Sequence, residues 1–551
     1  MGPLTGHTRR WRVVPRFDPL LGAKESTMTA APHHRRRRAR TAVLAAAAAG
    51  AVALTGVPGA WAANDVLGPG AELYVDPHSS TVDAAAGLTG QARDDALLLA
   101  GFPTAQWFTA GAPAEVQAGV ADLVGAAALR EEVPTLVAYN LPFRDCAQYS
   151  AGGATSVAEY TAWVDAFAAG IGDRAAVVVL EPDGLGIIPH YTNVNGELEW
   201  CQPEEADPAT AAAERFAMLD HAVDAFAALP RTAVYLDGTH TGWLGVGDVT
   251  DRLIKAGVER ADGFFLNASN YQPTPQLQKY ASWVSQCIDL TLAGATEPAS
   301  CASQYYPATP GDFSTWGLTD AAYAQAYADA GRTPDPATMK HAVIDTSRNG
   351  QGPWTPPAGV YPDPEDWCNP PDRGLGLRPT TDTGDPYVDA FLWIKVPGES
   401  DGQCFRGLGG PEDPVRGMVD PPAGSWFPEQ ARELVALAVP PVEAPTCEVS
   451  YTVHGRWPGG FIAQVWVTNT GTTPIRGWDL EWAFGGAQTI HQVWSAHADQ
   501  HGTVVTASDA GYNATIRPGG STTFGFLGDG DPGQGPAPLL FRLEGRPCTV
   551  A

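Results

Sequence analysis

Residues 175–186, with the sequence AAVVVLEPDGLG, show most clearly the pattern from which the fold is predicted. An apolar run rich in β-formers leads directly into two acidic residues, Glu181 and Asp183, and then into glycines. A short apolar run that is bounded by polar and turn residues predicts a β-strand ending at a loop. The same arrangement recurs along residues 66–437, so this stretch is the pattern from which the rest of that region is interpreted.

Six further apolar runs resemble the first: Ala105–Phe108, Thr135–Leu141, Thr232–Asp237, Gly263–Asn267, His341–Asp345 and Ala390–Val396. Amphipathic helical stretches lie between some of them: Ala114–Glu131, Val157–Ala169, Ala209–Leu229 and Val249–Arg260. Strands that alternate with helices predict parallel βα units. The sequence therefore predicts an α/β fold, a distorted parallel (β/α) barrel of about seven strands that closes less completely than an eightfold barrel.

The pattern changes after residue 437. Residues 438–446 are a short proline-rich linker, and residues 447–551 show alternating strands with turn residues at short spacing. The predicted strands are Phe461–Thr468, Ile475–Phe484, Thr503–Ser508, Thr522–Phe526 and Leu539–Leu543. This pattern predicts an antiparallel β-sandwich. We expect few contacts between it and the preceding domain, because proline-rich linkers typically join independent domains. The linker is only nine residues long, however, and the alternative is that the sandwich packs directly on the preceding domain.

The N-terminus has the organisation of an export signal. A basic stretch around Arg35–Arg38 is followed by the apolar stretch Thr41–Val57 and by an A-x-A site at residues 60–62. A transmembrane anchor is the alternative, although the apolar stretch is near the lower length limit for one. We expect residues 1–62 to be removed, with Met28 as a second candidate start, and residues 63–437 to form the first mature domain of a secreted protein.

Charge and cysteine content narrow the class of protein. The net charge of −27 disfavours nucleic acid and anionic membranes as partners, so we expect a neutral substrate and a monomer. Eight cysteines in an exported chain suggest disulfides, and sequential pairing is the simplest of several connectivities. The sequence has neither a CxxC nor a CxxH pair, and we expect no metal and no cofactor.

Acidic residues follow three of the predicted strands. Asp145 follows the second, Asp183 the third, and Glu399 and Asp401 the last. Chemistry in βα barrels lies at the carboxyl ends of the strands, and glycosidic hydrolysis needs one protonated and one ionised carboxyl group. A single such aspartate could equally cap a helix, but three equivalent positions favour catalysis.

Tryptophans accompany these acids. Trp107 ends the first strand, Trp243 follows the fourth and Trp367 lies in a long loop. A tryptophan on a polar loop is a candidate platform for stacking a sugar ring, although packing against the barrel rim is the alternative.

Several stretches together resemble the family 6 glycoside hydrolases, which are inverting cellulases: AYNLPFRDC, VLEPDGLG, LDGTHTGW, NASNY, VIDTSRNGQGP, DWCNP and TGDPYVDAFLWIKVPGESDG. The resemblance implies that Asp183 is the general acid, that Asp145 steers its proton affinity, that Asp401 is the candidate base and that Tyr139 presses on the distorted sugar. It also implies a set of residues that line the sugar subsites: Trp107, Arg144, His240, Trp243, Asn270, Trp367, Lys395 and Glu399.

The resemblance carries further expectations. A serine that holds the water in the family would correspond to Ser150, whose position differs enough to leave the water path open. Disulfides Cys146–Cys201 and Cys368–Cys404 would brace the loops of Asp145 and Asp401, with Cys287–Cys301 in the long segment before residue 343. That segment and Phe405–Phe427 resemble loops that roof the cleft, so we expect a cellobiohydrolase that releases cellobiose from non-reducing ends. An open endoglucanase cleft is the alternative.

The C-terminal region resembles the family 2 carbohydrate-binding modules in GRWPGGFIAQVWVTNTG, GWDLEWAF and RPGGSTTFGFLG. The resemblance implies a cellulose-binding surface of Trp457, Trp494 and Tyr512, all expected on loops, with tyrosine where the family usually has tryptophan. A disulfide Cys447–Cys548 would bracket the sandwich, and one bridge over this length stabilises by roughly 4–5 kcal/mol. The implied partners are cellulose and cello-oligosaccharides. A non-catalytic polysaccharide-binding protein is the rival reading, but it would not need the acids.

Overall fold

The computed structural model describes residues 65–551, apart from residues 69, 148, 532 and 534–536. The predicted signal peptide, residues 1–62, lies outside the described residues. Two folded parts follow, the barrel domain (residues 65–437) and the sandwich domain (residues 447–551). Among the residues that the structure describes, no helix is both long enough and apolar enough to cross a membrane.

The barrel domain contains seven parallel strands that are hydrogen-bonded in sequence order. They are β1 Gln106–Phe108, β2 Thr135–Ala138, β3 Ala176–Leu180, β4 Thr232–Asp237, β5 Gly263–Leu266, β6 His341–Asp345 and β7 Val388–Leu392. All seven overlap the predicted runs, although β7 begins two residues before the run Ala390–Val396 and ends four residues before its end. Over the described residues no ladder joins β1 to β7. Instead, the N–H of Ala105 donates to the carbonyl of Trp393 at 2.9 Å, so the sheet is a curled, incompletely closed barrel.

Burial on both faces explains why the strands appear as continuous apolar runs. Val178 and Leu180 of β3 pack against the surrounding helices, whereas Val177 and Val179 fill the barrel interior. Parallel strands covered on both faces need apolar side chains at every position. The helices are α1 Ser80–Ala86, α2 Gly90–Ala100, α3 Pro113–Ala128, α4 Val157–Ile171, α5 Ala211–Ala227, α6 Val246–Lys255, α7 Thr274–Leu292, α8 Gly317–Asp329 and α9 Pro428–Ala436.

The four helices predicted from the sequence correspond to α3, α4, α5 and α6. The long segment between β5 and β6, which the sequence analysis treated as a loop, instead contains α7 and α8. Tyr280, Trp283 and Tyr323 on these helices are buried in the main core. This segment is therefore part of the folded scaffold.

The sandwich domain consists of two five-stranded sheets that enclose their own apolar core and of a separate two-stranded sheet. Its strands are β8 Cys447–Trp457, β9 Gly460–Asn469, β10 Ile475–Arg476, β11 Asp479–Ala483, β12 Thr489–Trp494, β13 Ala496–His501, β14 Val504–Asp509, β15 Thr515–Ile516, β16 Ser521–Asp529, β17 Phe541–Leu543, β18 Arg546–Pro547 and β19 Thr549–Val550. The sequence predicted β9, β14, β16 and β17. The predicted run Ile475–Phe484 divides into β10 and β11 at Gly477, which has a φ of +74°.

Four disulfides link the cysteines in sequence order: Cys146–Cys201, Cys287–Cys301, Cys368–Cys404 and Cys447–Cys548. The last closes the sandwich domain at its two ends, and its partners are almost fully buried.

The two domains pack directly on each other, so the alternative that the short linker left open is the one observed. The linker lies along the barrel domain, where the N–H of Val439 donates to Leu375 and Arg378 donates to Pro440, both at 2.8 Å. Leu539 and Leu540 of the sandwich domain pack into apolar clusters with residues of the barrel domain. A linker of nine residues is too short to hold two domains apart once both present complementary apolar surface.

Candidate active site

A cleft of about 660 Å³ opens at the carboxyl ends of the parallel strands. Its walls include every catalytic and sugar-binding candidate of the sequence analysis: Trp107, Tyr139, Arg144, Asp145, Asp183, His240, Trp243, Asn270, Trp367, Lys395, Glu399 and Asp401. Residues from six strand ends, those of β1, β2, β3, β4, β5 and β7, thus meet with Trp367 of the loop after β6 in one place, as expected for a βα barrel.

Asp183 lies in a tight turn after β3, with a φ of +63°. Asp237, at the end of β4, holds the next residues of that turn by accepting the N–H groups of Leu185 and Gly186. Burial raises the pKa of Asp183 well above its ordinary value, and the nearby carboxylates Asp237, Asp145 and Asp401 raise it further. Burial and these neighbouring carboxylates therefore favour the protonated form of the Asp183 carboxyl group.

Asp145 follows β2 and accepts the N–H of Ser150 at 2.7 Å. Burial raises its pKa to about 6, although this hydrogen bond and Arg144 oppose the rise. The Arg144 guanidinium donates to the carbonyls of Tyr139 and Ser150 and lies 4.8 Å from the Tyr139 ring centre. Arg144 and Ser150 thus fix the loop that carries Asp145, and Ser150 itself lines the cleft.

Asp401 has the opposite electrostatic environment. Arg348 donates to its Oδ2 at 2.8 Å, the N–H of Asn369 donates to the same atom at 3.0 Å, and Lys395 Nζ lies 3.6 Å from Oδ1. Burial favours the protonated form, but Arg348 and Lys395 outweigh it and hold the pKa below its ordinary value. The surroundings therefore favour the ionised form of Asp401 and the protonated form of Asp183.

Glu399 and Lys395 lie on the same loop after β7. Ser80, the first residue of α1, donates its hydroxyl to Oε1 of Glu399 at 2.7 Å. Burial raises the pKa of Glu399, and Lys395 and Ser80 partly oppose it. Burial lowers the pKa of Lys395.

Aromatic rings line one side of the cleft. The rings of Trp107 and Tyr139 pack edge to face with their centres 5.5 Å apart, and Trp107 donates its indole N–H to the carbonyl of Ile394. Tyr149 contacts the ring of Trp367 at 5.8 Å. Because each ring is held by a neighbour or a hydrogen bond, little rotamer freedom is left to lose when a flat apolar face stacks on it.

Trp243 and His240 follow β4. The Trp243 ring lies against Gly186, where a β-carbon would come within 2.4 Å of it. Burial lowers the pKa of His240 to about 4. Its Nδ1 accepts the N–H of Gly242 at 3.1 Å, so the neutral ring carries its proton on Nε2 and offers a donor. The Oδ1 atom of Asn270 accepts the backbone N–H of Tyr271 at 2.9 Å, within a local turn.

Three acidic residues at the strand ends have structural roles. Glu181 accepts the N–H groups of Asn140 and Leu141, and its burial raises its pKa to about 7. Asp345 accepts the N–H groups of Ser269 and Lys395. Together with Asp237, they tie each strand end to the loop of a neighbouring strand. They are absent from the cleft lining, so an acidic residue at a strand end is by itself no sign of catalysis.

Several cleft residues were not predicted from the sequence. Trp200, 54% exposed, lines the cleft from a hairpin that precedes Cys201. Tyr149 and Tyr271 also line it, and Arg348 supports Asp401. A tryptophan among polar residues in NGELEWCQP was a usable signal for Trp200.

The sandwich domain exposes the three predicted aromatics: Trp457 at 46%, Trp494 at 37% and Tyr512 at 78%. The expectation that all three lie on loops is wrong for two of them, because Trp457 ends β8 and Trp494 ends β12. Each of these rings lies over the glycine directly opposite on the neighbouring strand, Gly460 and Gly525 respectively.

These features define the class of protein, a glycoside hydrolase: the barrel is curled and parallel, and its cleft combines tryptophans with one carboxyl group whose protonated form is favoured and one whose ionised form is favoured. The model of the family described as Glycosyl hydrolases family 6 matches residues 69–438, and that of the Cellulose binding domain matches residues 447–548. The chain belongs to family 6 of the glycosyl hydrolases and carries a C-terminal cellulose binding domain.

The chain is similar to Endoglucanase A of Thermobispora bispora, with 34% identity over 517 residues, 87% of this chain and 94% of that protein. It is also similar to Probable 1,4-beta-D-glucan cellobiohydrolase C of Neosartorya fischeri, with 31% identity over 327 residues, 55% of this chain and 62% of that protein. Among solved structures, the endoglucanase Cel6 of Mycobacterium tuberculosis is 32% identical, covering 68% of this chain and 98% of that chain, with a TM-score of 0.49.

Proposed function

We propose that the protein is a secreted cellulase that hydrolyses β-1,4-glucosidic bonds with inversion of the anomeric carbon. This proposal rests on two carboxyl groups that line one cleft and have pKa values shifted in opposite directions. The pKa of Asp183 is raised and that of Asp401 is lowered. An inverting hydrolase needs an acid for the leaving oxygen and a carboxylate on the far side of the sugar.

In the proposed reaction, Asp183 gives its proton to the glycosidic oxygen as the bond to the anomeric carbon breaks. A water attacks that carbon from the opposite face and loses a proton toward Asp401. The anions of Asp145 and Asp401 stabilise the positive charge that develops on the sugar. Asp401 is a weak base because Arg348 lowers its pKa, so charge stabilisation is a substantial part of its role.

We propose an endo mode of attack as the first candidate. The segment of residues 274–340, on which the expectation of a roofed cleft partly rested, is mostly helical and contributes no residue to the cleft lining. Endoglucanase is also the name of the Thermobispora bispora relative, which is similar along 87% of this chain.

An exo mode that releases cellobiose is the second candidate. The loop Phe405–Phe427 favours the exo mode, because its residues Ala423 and Gly424 line the cleft. Phe405 also contacts Tyr149, which in turn contacts Trp367, so this segment is packed onto the rim. The Neosartorya fischeri relative carries a cellobiohydrolase name.

Two measurements on amorphous cellulose test the stereochemistry of hydrolysis and the mode of attack. Proton NMR of the first-formed product should show the α-anomer, and a β-anomer would contradict inversion. The ratio of insoluble to soluble reducing ends should be high for internal cleavage, whereas mostly soluble cellobiose would favour the exo mode. Asp183→Asn is the control that should release neither.

A further inference from the structure

The two domains share buried apolar surface. Leu540 of the sandwich domain packs with Val75 and Ala100 of the barrel domain, and all three are 5% exposed or less. Leu539 and Val550 of the sandwich domain pack against the pair of helices α1 and α2. Apolar side chains buried in this way would be exposed to water in either domain alone, so the contact favours a fixed arrangement.

The backbones approach closely at one point of this interface. A β-carbon on Gly101 would lie 2.7 Å from both Cβ and Cγ of Pro547. Gly101 has a φ of −73°, which any residue adopts, so its hydrogen side chain is required by the neighbouring domain and not by its own backbone. This is the close packing of a core.

Polar pairs surround the apolar contact. Arg130 of the barrel domain lies 2.7 Å from Glu481 of the sandwich domain, which also pairs with Arg542 at 3.2 Å. His78 hydrogen-bonds to Thr503 at 3.1 Å. These pairs are directional contacts, so they fix the relative orientation of the two domains around the apolar contact.

One layer of residues separates this interface from the cleft. Ser80 begins α1 and donates to Glu399, which lines the cleft. On the other side of the same loop, the Trp426 ring lies against Gly398, where a β-carbon would come within 2.6 Å of it. Trp426 belongs to the apolar cluster that contains Leu539 and Val550. The sandwich domain therefore packs on the helix that Ser80 begins, and it shares an apolar cluster with Trp426.

We propose that the sandwich domain is a fixed structural partner of the barrel domain and positions Glu399 through Ser80 and Trp426, in addition to binding cellulose. Ser80 and Trp426 are positioning residues. The part that concerns sugar binding rests on the proposed function. A sandwich domain that only anchors the enzyme would leave the hydrolysis of soluble substrate unchanged, because anchoring acts through local concentration on a surface.

The test uses kcat and KM on soluble cellohexaose for full-length variants. Gly101→Ala should force the domains apart at Pro547 and raise KM about three- to tenfold, with a smaller effect on kcat, the range expected for one lost hydrogen bond. Gly101→Ala/Pro547→Gly should restore KM, with Pro547→Gly alone as the matched control. Ser80→Ala should give a similar rise in KM. Ser80→Thr, which keeps the hydroxyl, should leave KM near the wild-type value.

Combining the variants separates the proposal from simple instability. If the interface acts through Ser80, Gly101→Ala/Ser80→Ala should be no worse than the more affected single variant, since both remove the same support. Calorimetry of the wild type should show one transition for both domains.

Unchanged KM in Gly101→Ala, multiplicative effects in the double variant, or two separate melting transitions would each overturn the proposal. A wild type without activity on cellohexaose would instead refute the proposed function, and calorimetry would still decide whether the domains form one unit.

Discussion

Arg348 donates to Asp401 at 2.8 Å, with the two side chains 0% and 7% exposed. The two residues come from the segments that follow β6 and β7, so the ion pair joins the last two strands of the sheet at the cleft. Tyr271 also donates to Asp401, at 3.3 Å. A buried carboxylate in this position is stable only while its partners are present.

Arg348→Met should therefore destabilise the protein by about 3–5 kcal/mol at neutral pH, because it leaves Asp401 buried without its main partner. The pKa of Asp401 in the folded wild type is lowered, so the pair contributes stability above the unfolded pKa and loses it as pH falls through the folded pKa. The difference in the free energy of unfolding between Arg348→Met and the wild type should thus shrink at acid pH. Denaturant unfolding at several pH values measures it.

The control for this prediction is Arg348→Met/Asp401→Asn, which removes the uncompensated charge together with its partner. It should be more stable than Arg348→Met alone at neutral pH. Equal stabilities for the single and double variants would mean that Asp401 does not depend on Arg348.

Asp183→Asn should nearly abolish cellulose hydrolysis, because the chain loses the donor for the leaving oxygen. The same variant should be more stable than the wild type at neutral pH. The folded pKa of Asp183 is raised above the unfolded value, so the wild type loses stability as pH rises from the unfolded pKa toward the folded one. Asparagine does not titrate and avoids this cost.

Melting temperatures at about pH 4 and pH 7 check the sign, since the gain from Asp183→Asn should be larger at the higher pH. Asp237→Asn is a useful comparison, because Asp237 holds the backbone N–H groups of Leu185 and Gly186. That variant should lose stability. A lower melting temperature for Asp183→Asn at both pH values would contradict the raised pKa.

The strands and the acidic residues of the cleft were predictable from the sequence for a local reason. The strands are buried on both faces, so each appears as an unbroken apolar run, and the acids directly follow these runs in distinctive motifs. The role of Arg348 was not predictable, because its partner is 53 residues away and a buried arginine has no local signature.

The interface between the domains was hidden for a similar reason. Leu539 and Leu540 look like ordinary residues at the start of a sandwich strand, yet they pack against the barrel domain. Helices α7 and α8 were missed because the cysteines and prolines around them suggested a loop, whereas their tyrosines and tryptophan are buried in the barrel core.

Trp200→Ala should weaken binding of long cello-oligosaccharides more than that of short ones. Trp200 is 54% exposed at the cleft wall, where a flat indole face is available for an additional sugar unit. KM for cellohexaose should rise roughly fivefold, whereas KM for cellotriose should change little. Leu198→Ala is the matched control, since Leu198 is 56% exposed in the same hairpin but is absent from the cleft lining. Equal effects of both variants would indicate a general disturbance of the hairpin.

Gly525→Val should weaken adsorption to crystalline cellulose roughly tenfold, although residue 525 is not itself an exposed aromatic. The Trp494 ring lies over Gly525, and a β-carbon there would come within 2.3 Å of the ring, so valine must push the ring out of its position. Trp494→Ala should have a similar effect by removing the ring. Thr523→Val is the control, because it places the same residue two positions earlier on β16, at an exposed site. Adsorption isotherms measure binding, and hydrolysis of cellohexaose checks that the cleft is intact. If Gly525→Val adsorbs as well as Thr523→Val, the position of the Trp494 ring does not determine cellulose binding.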